Sequence, residues 1–161
     1  MPISNIEYID IALSIAYDCI NDDGRYPFGT IVVKDNKIVG IGKEATRVKN
    51  DPTAHSEIEA IRDACKNLNT SNLKGCIVYT SCEPCSMCLS ALFWSNIDAV
   101  YYACSREDVF KLGFPDRFEL IEKRKNLDKT VNLKTIKMIQ LKSIEGVEVF
   151  KQWKLAKKVS V

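Results

Sequence analysis

The chain has 161 residues, of which 46% are hydrophobic and 27% are charged, and its formal net charge is +2. This length suits one domain with a continuous core, and the composition excludes disordered, collagen-like and other low-complexity proteins. A net charge this small gives no general attraction to nucleic acid. We therefore expect a small-molecule substrate and neither a nucleic-acid nor a membrane partner.

The N-terminus and the cysteines indicate a cytoplasmic protein. The first residues include Glu7 and Asp10 and lack the basic region and apolar run of a secretory signal, and no stretch approaches the length of a membrane span. The seven cysteines are an odd number, which favours reduced thiols with a metal among them over a disulfide framework. We expect a single cytoplasmic domain spanning residues 1–161.

Strands and helices alternate along the chain. Capping patterns and apolar spacings of three and four residues predict helices, and short β-prone runs bounded by turn formers predict strands. This alternation is typical of a layered α/β domain. The predicted elements, in chain order, are a helix from about Asn5 to Asn21, strands Thr30–Lys34 and Ile38–Gly42 in a hairpin, a helix beginning at Pro52, a strand Cys76–Thr80, a helix beginning at Pro84, a strand Ala99–Ala103, a short helix Glu107–Leu112, a charged surface excursion from Glu119 to Lys134, a strand Thr135–Leu141 and a closing helix through Val149 to Ala156.

Two predicted helix starts carry side chains that suit a metal site. His55-Ser56-Glu57 follows Pro52, and Cys85 and Cys88 share one face of the first turn after Pro84. Zinc takes imidazole and thiolate ligands in tetrahedral geometry, and a catalytic zinc keeps three protein ligands with the fourth position open to water. If the two helix starts face each other, His55, Cys85 and Cys88 form such a set.

Glu57 has the position of a general base. Two thiolates and a neutral imidazole cancel the charge of Zn²⁺, so this metal acidifies its water less than one held by three histidines. Glu57 lies two residues beyond His55 in the same helix and can approach the water without being a ligand. We expect Glu57 to take a proton from the water and to return it to a leaving amine.

The order of these motifs resembles a known family. The pattern H-x-E followed by P-C-x-x-C is a signature of zinc deaminases, and through it the chain resembles the cytidine-deaminase superfamily. The likeness to bacterial guanine deaminases runs nearly end to end. It is carried by Asn50 to Glu57, Thr80 to Cys85, Pro27-Phe28-Gly29 and Gly113-Phe114-Pro115-Asp116.

The resemblance implies a fold, a reaction and a set of substrate contacts. The implied fold is a three-layer α/β/α sandwich with a five-stranded mixed sheet, holding one zinc ion per chain. The implied reaction is the hydrolysis of guanine to xanthine and ammonia, in a homodimer whose C-terminal segments, residues 143–161, are exchanged. Phe28 would stack on the base and Asp116 would accept hydrogen bonds from it. Ala54 and Trp94 complete the implied substrate-binding set, with Trp94 either a core residue or a wall of the pocket.

Two departures from the family concern the substrate. Lys43-Glu44-Ala45-Thr46 stands where the family usually has an asparagine that hydrogen-bonds the substrate. Similar guanine deaminases close the pocket of the partner subunit with an aromatic residue at the extreme C-terminus, whereas Trp153 is the last aromatic residue here. Cytosine, another aminopurine and a tRNA adenosine therefore remain alternative substrates.

Two further alternatives stay open. Cys82 could join His55, Cys85 and Cys88 in a closed four-ligand site, which would indicate a structural zinc in an interaction module without catalysis. A run of C-terminal lysines could bind RNA phosphates, although we expect this run to form the solvated face of an amphipathic helix. These lysines are Lys151, Lys154, Lys157 and Lys158.

Overall fold

The computed structural model describes residues 2–114 and 136–158, and within them it has five strands and six helices. None of these helices is long and apolar enough to cross a membrane. The elements are α1 (Asn5–Asp18, followed by a 3₁₀ turn Cys19–Asn21), β1 (Gly29–Lys34), β2 (Lys37–Lys43), α2 (Thr46–Lys49), α3 (Ser56–Leu68), β3 (Ile77–Cys82), α4 (Ser86–Trp94), β4 (Ala99–Cys104), α5 (Arg106–Lys111), β5 (Lys137–Gln140) and α6 (Ser143–Ala156).

The strands form one mixed sheet in the order β2-β1-β3-β4-β5. The hairpin partners β1 and β2 are antiparallel, as are β1 and β3, whereas β3, β4 and β5 run parallel. The sheet confirms the predicted fold class, because helices cover both of its faces and the strands alternate with helices in sequence.

Alternate residues of the strands pack into two hydrophobic cores, one on each face of the sheet. Ile31 and Val33 of β1 lie in the core that packs against α1 and α6. Val32, between them, lies in the core on the opposite face, with side chains of α3 and α4. This period of two is the reason that Ile31, Val32 and Val33 are consecutive apolar residues, since a strand covered on both faces has no solvent side.

The carboxyl ends of β3 and β4 meet at one edge of the sheet, where Cys82 pairs with Cys104. Because β1 is antiparallel to β3 and pairs Thr30 with Thr80, the start of β1 lies at the same edge. α3 packs closely against β2, and a Cβ atom on Gly42 would lie 1.9 Å from the carbonyl oxygen of Ser56. Only glycine permits this approach, which brings the first turn of α3 to the same edge of the sheet.

The helix after Pro52 begins later than the sequence predicts. The carboxylate of Asp51 accepts hydrogen bonds from the backbone N–H of Thr53 at 2.8 Å and from its hydroxyl at 2.6 Å. Such a side-chain turn competes with the helix, so residues 52 and 53 form a turn and α3 begins at Ser56. Pro84 likewise precedes its helix, because Cys85 is the N-cap of α4.

Other sequence expectations are also corrected. The segment between the second predicted strand and Pro52, for which the sequence predicts no helix or strand, contains the short helix α2. Lys154 does not lie on a solvated face, since its ammonium group is buried and donates to the carbonyl of Leu112. The excursion from Glu119 to Lys134 and Thr135, the first residue of the predicted fifth strand, lie outside the described residues.

Candidate metal centre and active site

Three predicted ligands converge at the sheet edge. The sulfur atoms of Cys85 and Cys88 each lie 3.6 Å from Nδ1 of His55, and the three ligand atoms lie within 4.8 Å of one another. Zinc bonds of about 2.3 Å to sulfur and 2.0–2.1 Å to nitrogen, opened at a tetrahedral angle, separate the two ligand atoms by about 3.6 Å. The cluster therefore has the dimensions that one tetrahedral zinc ion requires.

Each ligand lies at the N-terminal end of a helix. His55 is the N-cap of α3, while Cys85 is the N-cap of α4 and its sulfur accepts a hydrogen bond from the backbone N–H of Cys88 at 3.4 Å. Unpaired N–H groups and the positive end of the helix dipole stabilise negative charge at these positions. The local structure thus favours thiolates where the metal would bind.

The two thiols of the cluster differ in acidity. A hydrogen bond from Cys88, aided by His55 and by the backbone N–H of Cys88, lowers the pKa of Cys85 to about 4. The same Cys85–Cys88 contact, together with burial, raises the pKa of Cys88. Without a cation the pair therefore holds one negative charge and shares one proton. A divalent metal supplies the positive charge that deprotonates both.

The pKa of His55 is also perturbed, because its hydrogen bond to Cys85 raises it. A metal ligand must be a neutral imidazole, so zinc and protons compete for this ring. The donor set of one imidazole and two thiolates fits zinc in type, number and spacing.

Cys82 lies outside the cluster. Its hydrogen bond with Cys104 and its burial raise the pKa of Cys82 well above the ordinary value, which keeps this thiol protonated. Within residues 2–114 and 136–158, the group that could hold a metal consists of His55, Cys85 and Cys88. Three ligands leave the fourth position of a tetrahedral ion open, as in a catalytic site, and Cys82 does not close it as a structural site would require.

Glu57 is buried beside this cluster. Its side chain is 5% exposed, and burial, with the negative charge of Cys85 as a second cause, raises the pKa of its carboxyl. A raised pKa makes the carboxylate a stronger base, which suits a group that takes up a proton and returns it.

A cavity of about 230 Å³ opens in front of these groups. This volume lies below the about 300–1,000 Å³ typical of pockets for drug-sized ligands, so it suits a single heterocycle. Phe28 lines one wall and is held by an edge contact with Phe150, at 5.2 Å between ring centres. The other lining residues are Tyr26, Glu44, Thr46, His55, Ser56, Glu57, Cys82, Glu83, Cys85, Arg106, Val109 and Phe114.

Glu44 occupies a position in this cavity that the sequence analysis did not assign. Its carboxylate is 3% exposed and accepts hydrogen bonds from the backbone N–H of Tyr26 at 2.9 Å, from the N–H of Thr46 at 2.8 Å and from the Thr46 hydroxyl. The signal in the sequence was the charged residue standing in place of the family's asparagine. What this residue contacts depends on where the loop after β2 meets the start of β1.

The remaining predicted substrate residues lie in different surroundings. Ala54 is fully buried next to His55 but does not line the cavity. Trp94 is neither core nor cavity wall in this chain, because its side chain is 82% exposed at the end of α4. Asp116 lies outside the described residues, although Phe114, two residues earlier, lines the cavity.

Several known proteins are similar to this chain in sequence and in fold. Residues 3–104 match the family model described as the cytidine and deoxycytidylate deaminase zinc-binding region. Guanine deaminase from Bacillus subtilis is 40% identical over 147 residues, covering 91% of this chain and 92% of that protein. Its crystal structure covers 95% of each chain with a TM-score of 0.71 at 38% identity.

Two more distant relatives show the breadth of the family. A tRNA-specific adenosine deaminase from Buchnera aphidicola is 35% identical over 119 residues, covering 73% of this chain and 78% of that protein. Guanine deaminase from Nitrosomonas europaea has a TM-score of 0.76 and covers 96% of this chain and 86% of that one. At 21% identity this last likeness shows the fold alone.

The fold and the site together define a zinc-dependent deaminase with a His-Cys-Cys metal centre. The chain belongs to the cytidine and deoxycytidylate deaminase zinc-binding family.

Proposed function

We propose that this chain deaminates guanine, producing xanthine and ammonia. The observation that carries the proposal is the cavity for a single heterocycle in front of a three-ligand zinc site and a buried carboxyl, in a chain 40% identical to a guanine deaminase over most of its length. The reaction adds one water to the amine-bearing ring carbon and expels one ammonia, so atoms balance without another reactant.

In the proposed reaction, Glu57 moves the protons. A zinc ion held by His55, Cys85 and Cys88 supplies the Lewis acidity that lowers the pKa of a water molecule. Glu57 takes a proton from that water as it attacks the ring carbon and passes the proton to the ring nitrogen. It then takes the second proton from the hydroxyl group now on the ring carbon and gives it to the amine. The C–N bond breaks, ammonia leaves, the ring carbon becomes a carbonyl and Glu57 is a carboxylate again.

Phe28 and Glu44 are the proposed contacts to the base. The ring of Phe28 is fixed against Phe150, so it offers a rigid face on which a purine can stack. One oxygen of Glu44 accepts two hydrogen bonds and the other accepts one, so the second oxygen keeps an acceptor position for a ring N–H. Free guanine carries such N–H donors. Ala54 behind the ligand set and Asp116 beyond Phe114 remain parts of the proposed substrate-binding set.

The proposal is tested by a screen of purified zinc-loaded protein for ammonia release. Guanine, adenine, 2,6-diaminopurine, cytosine, their nucleosides and an unmodified tRNA are compared at equal concentration, with xanthine formation followed by its ultraviolet absorbance. Guanine is expected to be turned over with the highest kcat/KM. Faster turnover of another free base would replace guanine as the substrate, and inactivity on every compound would reject the proposed reaction.

A tRNA adenosine substrate is less well supported by the C-terminal lysines. Lys154 donates to the carbonyl of Leu112 inside the protein, and Lys157 pairs with Asp23 at 2.7 Å. Two of the four lysines in this run are therefore held within the chain, which weakens the case for a phosphate-binding row. Inosine formation in tRNA with an affinity that falls steeply with salt would reverse this judgement.

We also propose a cytoplasmic homodimer. The seven cysteines are free thiols, which is typical of a reducing compartment such as the cytoplasm. Phe93 and Trp94 expose 44% and 82% of their side chains next to each other on α4, which suits a protein interface. Trp94 could reach substrate only across such an interface. Exchange of residues 143–161 is kept in the proposal, and sedimentation of the Trp94→Ala variant tests the dimer.

A further inference from the structure

A chain of buried hydroxyl groups runs from Glu57 into the sheet. The Ser56 hydroxyl donates to Oε2 of Glu57 at 3.2 Å and lies 2.8 Å from the hydroxyl of Thr30 on β1. Thr30 in turn contacts the hydroxyl of Thr80 on β3 at 2.8 Å, and Thr80 reaches the carbonyl of Gly29 at 3.5 Å. The three hydroxyl residues are at most 1% exposed.

This arrangement is not required by the fold. Thr30 and Thr80 are directly paired on neighbouring strands, where valine would have similar shape and would avoid burying a polar group. Ser56 lies in the first turn of α3, where its side chain faces the sheet and not solvent. Buried hydroxyls carry a desolvation cost that only their hydrogen bonds offset, so the line they form toward Glu57 calls for a functional reason.

The hydroxyls can serve Glu57 both with and without a proton. Each hydroxyl has one proton that rotates to suit its neighbours. When Glu57 is a carboxylate, Ser56 donates to it and Thr30 can turn its proton from Thr80 toward Ser56, while Thr80 turns its own proton from the carbonyl of Gly29 toward Thr30. When Glu57 carries a proton, Ser56 can accept from it and donate to Thr30, and the chain then runs through Thr80 to the carbonyl of Gly29.

We propose that Ser56 is a positioning residue for Glu57. Its hydroxyl connects the carboxylate of Glu57 through Thr30 and Thr80 to strands β1 and β3, and so holds this carboxylate beside the zinc ligands. The inference depends on the proposed role of Glu57 as the base. Although Ser56 contributes to the cavity lining, its hydroxyl is engaged by Glu57 and Thr30. Its removal should therefore affect the rate of the chemical step more than substrate binding.

The test compares Ser56→Ala with wild type on whichever base the wild-type protein deaminates. We expect kcat to fall about tenfold, with KM within about twofold and one zinc retained, because one hydrogen bond to a charged group is lost. Ser56→Thr restores the hydroxyl and should recover most of the loss. Thr30→Val breaks the next contact and should lower kcat by a smaller factor.

Ser95→Ala is the matched control, because Ser95 is also buried but its hydroxyl donates only to the carbonyl of Ala91 within α4. It should leave kcat unchanged. A readout independent of activity is a crystal structure of metal-free Ser56→Ala, in which the Glu57 carboxylate should move by about 1 Å or adopt two conformers.

The outcomes separate this inference from the proposed function. Wild-type protein without activity on any base would remove the function, whereas an unmoved Glu57 in the metal-free crystal would remove the inference alone. A Ser56→Ala variant with kcat equal to that of Ser95→Ala would overturn the inference. So would loss of folding or of zinc in both Ser56→Ala and Thr30→Val, since the hydroxyls would then serve the structure.

Discussion

The two ends of the cavity are built in different ways. At the metal end, His55 and Glu57 lie at the start of α3, and Cys85 and Cys88 lie at the start of α4. The rest of the lining, which we call the recognition end, comes from separate segments before β1, after β2 and around α5, with Phe28, Glu44 and Val109 among them. Two short motifs therefore supply the metal ligands and the proposed base, whereas the proposed substrate contacts depend on how several segments meet.

Removal of a metal ligand should have the largest effect. Cys88→Ala leaves two ligands and a vacant space in the cluster, so we expect the loss of stoichiometric zinc and a fall in activity of more than about 10³-fold. Zinc is measured by atomic emission and activity by ammonia release. Cys65→Ala, at a half-buried cysteine of α3 away from the cluster, should keep both. Full zinc content in Cys88→Ala would exclude the proposed ligand set.

Glu57→Gln should separate chemistry from metal binding at the same end of the cavity. The amide keeps the shape of the side chain but cannot accept the proton of the water, so kcat should fall about 10²–10⁴-fold with zinc retained. Glu59→Gln, two residues further along α3, removes a carboxylate that pairs with Lys49 and Arg62 and should leave kcat within about twofold. Equal activity of the two variants would show that Glu57 is not the base.

Acidification should weaken zinc binding. The hydrogen bond to Cys85 raises the pKa of metal-free His55, so the ring takes up a proton in the metal-free state at a pH above its ordinary value of about 6.5. Apparent zinc affinity should fall about tenfold per pH unit below this raised pKa for each proton that competes. Competition with a chromophoric chelator between about pH 5.5 and 8 measures it. A constant affinity over this range would contradict the competition.

Glu44→Gln should disturb the recognition end while leaving the metal end intact. Two N–H groups and one hydroxyl donate to this carboxylate, and the –NH₂ group of glutamine cannot accept them. We expect kcat/KM on the preferred base to fall about tenfold, with zinc retained and Tm slightly lower. Glu148→Gln, on α6, is the control. A larger effect on zinc content than on KM would show that Glu44 supports the metal site and not substrate binding.

Cys82→Ser should have the smallest effect. Cys82 lies in the cavity wall but hydrogen-bonds Cys104 and stays protonated, so serine should preserve both the contact and the open metal position. We expect one zinc per chain and kcat within about twofold of wild type. Loss of zinc from this variant would revive the closed structural site with four ligands.

The sequence predicts the metal end well because its determinants are local. Helix starts are marked by residues within a few positions of each other, and the spacing of Cys85 and Cys88 fixes their common face once the helix exists. Even there, the start of α3 was misplaced, since the turn made by Asp51 and Thr53 competes with a helix beginning at Pro52. Helix content was predicted, but the position of His55 as N-cap was not.

The sequence by itself determined the alternating elements and the ligand types, and it predicts Glu57 as the base, because periodicity and residue chemistry are properties of short segments. Only the tertiary structure decided that Glu44 is a buried carboxylate in the cavity, that Trp94 is exposed and that Lys154 is internal. The same holds for the contact of Ser56 with Thr30 and Thr80. These residues are brought together or apart by strand register and helix packing, which join positions distant in the chain and leave no local pattern.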